Sequence, residues 1–211
     1  METLCHDGLR TRAAHLAAAA AALKRRSDAA ASQKGAPFSL AFLTDRRRIA
    51  NPEPVLRALP PGSAVIYRDY DDPRREACAR RYRAICSGRG VLFLVAGNAA
   101  LAARVGADGV HWPASGSPIP NPQSRLVTVS CHTARELEAA AAMGAHLAFL
   151  SPVFPTQSHP GAEHLGPARF RALAAGALLP VLALGGVTES NAALLGGKNV
   201  AGIAAIGAFK V

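Results

Sequence analysis

From residue 38 onward the chain alternates eight short apolar runs with segments of helical character, and this rhythm constrains the fold more than any other feature. The runs cover about 38–44, 64–68, 91–95, 109–111, 126–130, 147–150, 181–184 and 201–206. Helical signals lie around 54–59, 73–86, 99–105, 133–143, 167–175 and 189–195. Strand followed by helix, repeated in this way, predicts an α/β fold of the (β/α)8 TIM barrel class rather than an open sheet. Two places break the rhythm. Residues 113–124 hold four prolines in twelve residues and are predicted as a loop where a fourth helix is due. After the eighth strand the sequence stops at Val211, so no C-terminal eighth helix is expected.

The N-terminal stretch offers a replacement. Leu9, Leu16 and Leu23 recur at seven-residue spacing, which places them on one narrow stripe of a helix predicted over 9–26. The stretch is mostly Ala, contains His15 and runs into Lys24-Arg25-Arg26, so it reads as an amphipathic helix rather than a secretory signal. Residues 27–37 are poor in large apolar side chains and read as a linker. The organisation predicted is an N-terminal extra helix and linker (1–36) and one barrel (37–211), with the helix docked between the eighth and first strands over apolar surface otherwise exposed there.

With 211 residues, half of them hydrophobic, the chain is long enough for one sizeable core. Its net charge of +10 favours small anionic ligands. The arginine runs at 46–48, 74/75 and 80/81/83 have few aromatics interleaved, so they are read as solvated basic faces and not as a nucleic-acid groove. The four cysteines form no C-x-x-C pair and no dense framework, which suits a reduced, cytoplasmic chain. His159-Pro-Gly-Ala-Glu163-His164 has one residue too many for H-x-x-E-H and a helix-breaking Pro160, so no zinc helix is expected. No apolar run reaches the roughly 18 residues of a membrane span. A homo-oligomer is left open.

The stretch 179–187, Leu-Pro-Val-Leu-Ala-Leu-Gly-Gly-Val, joins a buried strand to a turn of phosphate size. Residues 181–184 carry no polar alternation, as expected of a parallel strand covered on both faces. Gly185 and Gly186 remove side chains so that backbone N–H groups can approach an anion, with Thr188 placed to cap a seventh helix and Glu189 in its first turn. Glycines for close packing are the competing account. Active sites of this architecture sit at the C-terminal strand ends, which here supply Thr44/Asp45, Arg68/Asp69, Gly97/Asn98, His111, Ser130/His132, Ser151 with 156–159, Gly185/Gly186 and Gly207. His111 and His132 end neighbouring strands and are candidate bases, as imidazole side chains in general can be, although structural roles are favoured for both. Cys131 should point away from Ser130 and His132 and is the weaker nucleophile candidate.

Gly106-Ala-Asp-Gly-Val-His111, Val129-Ser-Cys-His-Thr133, Ser151-Pro-Val-Phe-Pro-Thr156 and Pro180-Val-Leu-Ala-Leu-Gly-Gly-Val187 occur in this order and spacing. Over about 38–209 the chain thereby resembles the thiamine phosphate synthase and TenI family. The resemblance implies thiamine biosynthesis and a barrel that handles the phosphorylated thiazole half of thiamine. In the synthases a magnesium-bound pyrophosphate leaves the aminopyrimidine, and the thiazole nitrogen captures the carbocation.

The departures are concentrated on the pyrophosphate side. The family's Gln-x-Arg-x-Lys at the second strand is Ile66-Tyr-Arg-Asp-Tyr70 here, its Asn-Asp pair aligns with Ala96 and Gly97, and its Gly-Gln-Glu-Asp becomes Pro113-Ala-Ser-Gly116. Both carboxylates expected to hold magnesium are replaced, so poor metal binding and no cofactor are expected. On the thiazole side Thr-x-Thr-Lys appears as Thr156-Gln-Ser-His159, Gly185 and Gly186 match the phosphate turn, and Gly207 stands for a serine while keeping its backbone donor. The tautomerase histidine of the TenI branch aligns with Pro152. The expectation is a divergent member binding a phosphorylated thiazole-like metabolite through Gly185, Gly186, Gly207, Thr156, Ser158 and His159. Arg68, Ser130, His132 and His159 are the catalytic candidates, and turnover is left open. The alternatives are an active synthase with an altered pyrimidine site, a thiazole tautomerase with a relocated base, and a non-catalytic regulatory barrel.

Overall fold

The computed structural model describes residues 2–28, 35–113, 125–156, 161 and 163–210. In chain order the elements are α1 (Glu2–Asp28), β1 (Leu40–Leu43), α2 (Glu53–Ala58), β2 (Ala64–Tyr67), α3 (Arg75–Ser87), β3 (Leu92–Ala96) and α4 (Ala99–Arg104). They continue with β4 (Gly109–Trp112), β5 (Leu126–Cys131), α5 (Ala134–Ala142), β6 (Leu147–Leu150), α6 (Gly166–Gly176), β7 (Val181–Ala183) and β8 (Val200–Ala205). Short 3-10 turns occupy Ala192–Leu195 and Gly207–Phe209. The eight strands are parallel and close in sequence order, with Leu40 of β1 paired to Ile203 of β8. The TIM barrel expected from the strand rhythm is thus the fold.

Alternate residues of each strand face inward and outward, and two cores follow from that alternation. The inner one is filled by Ala41, Leu43, Ala64, Ile66, Leu94, Ala96, Leu147, Phe149, Leu182 and Ala204. The small alanines make room for Phe149 and the leucines, so the barrel is a packed interior and not a pore. The outer core lies between strands and helices, where Tyr67 packs edge-on against Tyr82 of α3, with ring centroids 5.5 Å apart.

The N-terminal helix packs along β8 and against β1. Leu9, Leu16 and Leu23 are at most 3% exposed, and Ala13 and Ala20 between them are fully buried. Each buried leucine is worth roughly 1.5–3 kcal/mol relative to exposure, and the alanines let the helix axis approach the strand closely. At one end Arg12 meets the carbonyls of Ala208 and Lys210, just beyond β8; at the other, Lys24 Nζ donates to the Ala36 carbonyl at 2.8 Å, just before β1. The helix therefore runs from the barrel mouth to its base, antiparallel to the strands.

One expected helix is not formed. The segment 189–195 gives only the 3-10 turn Ala192–Leu195. Thr188 does not cap it: its backbone N–H donates to Asn191 Oδ1 at 2.9 Å, while its hydroxyl lies 2.9 Å from Ser190 Oγ. Asn191 Nδ2 in turn donates to the Gly186 carbonyl, also at 2.9 Å. This local side-chain bonding competes with the helical ladder at that point. The proline-rich loop expected over 113–124 lies, beyond Pro113, outside the described residues.

Several arginines of the basic runs are paired. Arg80 and Arg104 flank Glu76 at 2.7 and 3.0 Å, and Arg83 meets Asp108 at 3.2 Å. The Glu76 carboxyl is held below its usual range, chiefly by its hydrogen bond from Arg80. Among the described residues no helix is long and apolar enough to cross a membrane.

Candidate functional site

The inward-facing positions at the C-terminal ends of β4 and β5 turn from apolar to polar. His111 is 2% exposed; its Nδ1 lies 2.9 Å from Thr128 Oγ1 and its Nε2 2.9 Å from Ser130 Oγ. The ring stands edge-on to Phe149, with centroids 5.0 Å apart. Burial, and secondarily the nearby Arg68 charge, depress its pKa to about 3. A neutral imidazole with both nitrogens engaged is a holder of Ser130 rather than a proton acceptor. The β4–β5 register places His111 opposite Thr128, which is what lets this chain of hydrogen bonds form.

His132 is different. It is exposed, and its Nδ1 lies 2.7 Å from the Ser151 carbonyl, which can only accept. In the neutral ring the proton is thereby placed on Nδ1 and the lone pair on Nε2. The Thr133–Glu136 capping box at the start of α5 fixes the backbone here, and Glu136 also accepts from the His132 backbone N–H. Cys131 between them is buried and faces the outer core, with its thiol pushed up to about 12 by burial first and Glu136 second. It is therefore inert as a nucleophile at neutral pH.

The turn after β7 packs against the loop after β6. Val153 N–H donates to the Leu184 carbonyl at 2.9 Å and Phe154 N–H to the Gly185 carbonyl at 3.0 Å. Gly185 and Gly186 have φ of +91° and +64°. A Cβ on Gly185 would lie 2.8 Å from Pro152 Cα, and one on Gly186 would lie 2.4 Å from the Pro155 carbonyl oxygen. Close packing alone thus demands both glycines. The same geometry leaves the amides of Gly185, Gly186 and Val187 with no acceptor among the described residues. On the neighbouring strand end, Gly207 is exposed and opens the 3-10 turn Gly207–Phe209. Its amide and that of Ala208 likewise meet no acceptor among the described residues. Two adjacent turns therefore present unpaired N–H groups at the mouth, an arrangement that suits an anion. Thr156 belongs to the loop that packs on this turn, whereas Ser158 and His159 lie outside the described residues.

Next around the barrel, a cavity of about 510 Å³ opens over β1 and β2, bordered by Thr44, Arg46, Arg47, Arg68, Asp69 and Tyr70. It does not coincide with the glycine turns. The Arg68 backbone N–H donates to Thr44 Oγ1 at 2.9 Å, while its guanidinium makes no ion pair or hydrogen bond among the described residues. Asp72 beneath is buried and committed: Arg74 N–H reaches it at 2.9 Å, the Cys78 thiol at 3.4 Å and Arg46 at 2.8 Å. Its carboxyl is lowered, the Arg74 backbone N–H being the largest cause.

The third strand end holds an arrangement that motif reading missed. Arg75 Nη2 donates to the Ala96 carbonyl at 2.5 Å, and its guanidinium lies over the Tyr70 ring, 5.1 Å from the centroid. Tyr70 in turn covers Gly97, whose added Cβ would stand 3.2 Å from Tyr70 Cε1. A cation and an aromatic ring thus stand together beside Ala96 and Gly97 at this strand end. Among the described residues no group of three or more His, Cys, Asp or Glu side chains could hold a metal ion. The one local hint was Tyr70 in place of a lysine five residues before Arg75.

Comparison with known proteins gives consistent findings. Residues 40–209 match the TMP-TENI family, described as thiamine monophosphate synthase. The chain is 37% identical over 153 residues to the thiamine-phosphate synthase of Thioalkalivibrio sulfidiphilus, covering 68% of this chain and 71% of that protein. It is 33% identical over 141 residues to the thiamine-phosphate synthase of Geobacillus kaustophilus, covering 64% of each. Among solved structures, thiamine phosphate pyrophosphorylase from Pyrococcus furiosus superposes with a TM-score of 0.66 at 26% identity, covering 79% of this chain and 84% of that one.

Proposed function

Because the chain belongs to the thiamine monophosphate synthase family, we propose that its barrel mouth binds a phosphorylated thiazole-like metabolite, with the phosphate on the turns after β7 and β8. The observation that carries this reading is the set of amides of Gly185, Gly186, Val187 and Gly207 that lack acceptors among the described residues. Backbone donors of this kind take an oxyanion without a metal, and desolvation by the surrounding loops strengthens each bond. Thr156, Ser158 and His159 would add side-chain contacts from the loop after β6.

The pyrophosphate half of the family's reaction is not supported in the same way. Arg75 and Tyr70 stand at the third strand end, where the resemblance calls for an Asn-Asp pair, and Arg68 lies near enough to His111 for its charge to be felt there. We therefore expect magnesium-dependent thiamine phosphate formation to be absent or very slow. Calorimetric titration of thiazole phosphate, with a parallel assay of thiamine phosphate formation with and without Mg²⁺, tests both statements. Saturable binding with negligible synthesis is expected; no binding, or robust Mg²⁺-dependent synthesis, overturns the reading.

A second reading, proton transfer on a bound thiazole, is favoured by one observation. The Ser151 carbonyl holds Nδ1–H of His132, which leaves the Nε2 lone pair, without a partner among the described residues, as the base. In that case His132→Gln would abolish isomerisation and leave thiazole phosphate affinity nearly unchanged.

A further inference from the structure

We propose that α1, which lies outside the stretch shared with the family, is a positioning element of the anion site, and that Arg12 is its positioning residue. The inference rests on the phosphate reading given above. Its ground is the turn Gly207–Phe209. That turn is closed by two backbone hydrogen bonds, Phe209 N–H to the Ile206 carbonyl at 3.2 Å and Lys210 N–H to the Gly207 carbonyl at 3.0 Å. Its first amides, Gly207 and Ala208, face no acceptor among the described residues, whereas its last carbonyls would be left to solvent. Arg12 takes them: Nη1 donates to the Lys210 carbonyl and approaches the Ala208 carbonyl at 3.5 Å.

This contact links the end of the turn to a rigid support. Arg12 immediately precedes Ala13, which is fully buried against the barrel, and Leu9 and Leu16 anchor the helix on either side. Phe209, 1% exposed, fixes the other side of the turn by packing edge-on to Phe42 at 5.2 Å. A guanidinium between two carbonyls restricts the turn as a point charge in solvent would not. The same helix touches the other half of the site: His15 Nδ1 lies 3.1 Å from Glu189 Oε2, two residues beyond Val187. Both of these groups are more than half exposed, so that pair adds little and Arg12 carries the effect. Donors held in place before the anion arrives bind it more tightly, because the ordering cost is met in folding.

The experiment uses the intact protein and inorganic phosphate as probe, in wild type, Arg12→Ala, Arg12→Lys and Gly207→Asp. Calorimetry gives phosphate affinity, and hydrogen exchange without ligand gives the protection of the 206–210 amides. Arg12→Ala is expected to weaken phosphate about tenfold and to speed exchange in 206–210, with Arg12→Lys intermediate in both. Unchanged affinity in Arg12→Ala overturns the proposal. So does lower affinity with unchanged exchange, which would make Arg12 a distant charge only. Gly207→Asp separates the two levels. If it binds phosphate as well as wild type, the site itself has been misplaced. If it fails to bind while Arg12→Ala binds normally, only the role of α1 is wrong.

Discussion

The substitution Gly186→Ala sets the packing demand of the glycine turn against its proposed anion-binding role. Gly186 has φ +64°, and an added Cβ would meet the Pro155 carbonyl oxygen at 2.4 Å, Phe154 Cβ at 2.8 Å and the Phe154 carbonyl oxygen at 3.0 Å. Two of these contacts are with backbone, so no side-chain rotation relieves them. The left-handed conformation costs a residue with a Cβ roughly 1–2 kcal/mol, and displacing the loop adds about 1–3 kcal/mol. A loss of about 3 kcal/mol lowers the melting temperature by about 7 °C in a chain of this length. Gly207→Ala is the matched control, because its Cβ would meet no atom within 4 Å and its φ is not positive. Its stability should stay within about 0.5 kcal/mol of wild type. Calorimetric melting and urea unfolding of both variants give the comparison. A Gly186→Ala protein that melts with wild type would refute the packing argument, since the loop after β6 would then not rest on the turn. Phosphate affinity should fall in Gly186→Ala through displacement of the turn, and in Gly207→Asp through charge repulsion without loss of stability.

Three further expectations follow from other parts of the molecule. Leu16→Ala removes a side chain only 1% exposed at the α1–β8 seam and should cost about 3 kcal/mol in a single cooperative transition; a separate early transition for α1 would show that the helix is an appendage. His111 is depressed from 6.5 to about 3, by burial first and Arg68 second, so below about 6.5 the unfolded chain binds a proton that the native one does not. Stability should therefore fall with pH from neutrality toward 4, by roughly 2 kcal/mol at pH 5 from this residue, and His111→Asn should flatten that part of the urea-unfolding profile; an unchanged slope would rule the histidine out. Gly97→Asp should not confer Mg²⁺ dependence on any activity, because φ is +65° and Tyr70 stands 3.2 Å from the new Cβ; magnesium-dependent synthesis by that variant would show that the carboxylate alone was lacking.

The barrel was legible in the sequence because strand and helix periodicities are local properties of the chain. Eight apolar runs and the Leu9, Leu16, Leu23 stripe already implied a closed sheet with a helix brought from the N-terminus, and α1 does pack along β8. The seventh helix was misread for an equally local reason: the apolar pattern of 189–195 suits a helix, but Asn191 bonds back to Gly186 and Thr188 and leaves only a 3-10 turn. Glycines at 185 and 186 could be located from sequence, yet two accounts of them remained. The tertiary structure makes their packing role explicit through Pro152 and Pro155. The engagement of both His111 nitrogens, the fixed tautomer of His132, Arg75 over Tyr70 and the grip of Arg12 on the last turn were outside the reach of sequence. Each depends on which residue a neighbouring strand or helix places opposite, and barrel register and the docking of α1 set those partners at separations of up to 198 residues.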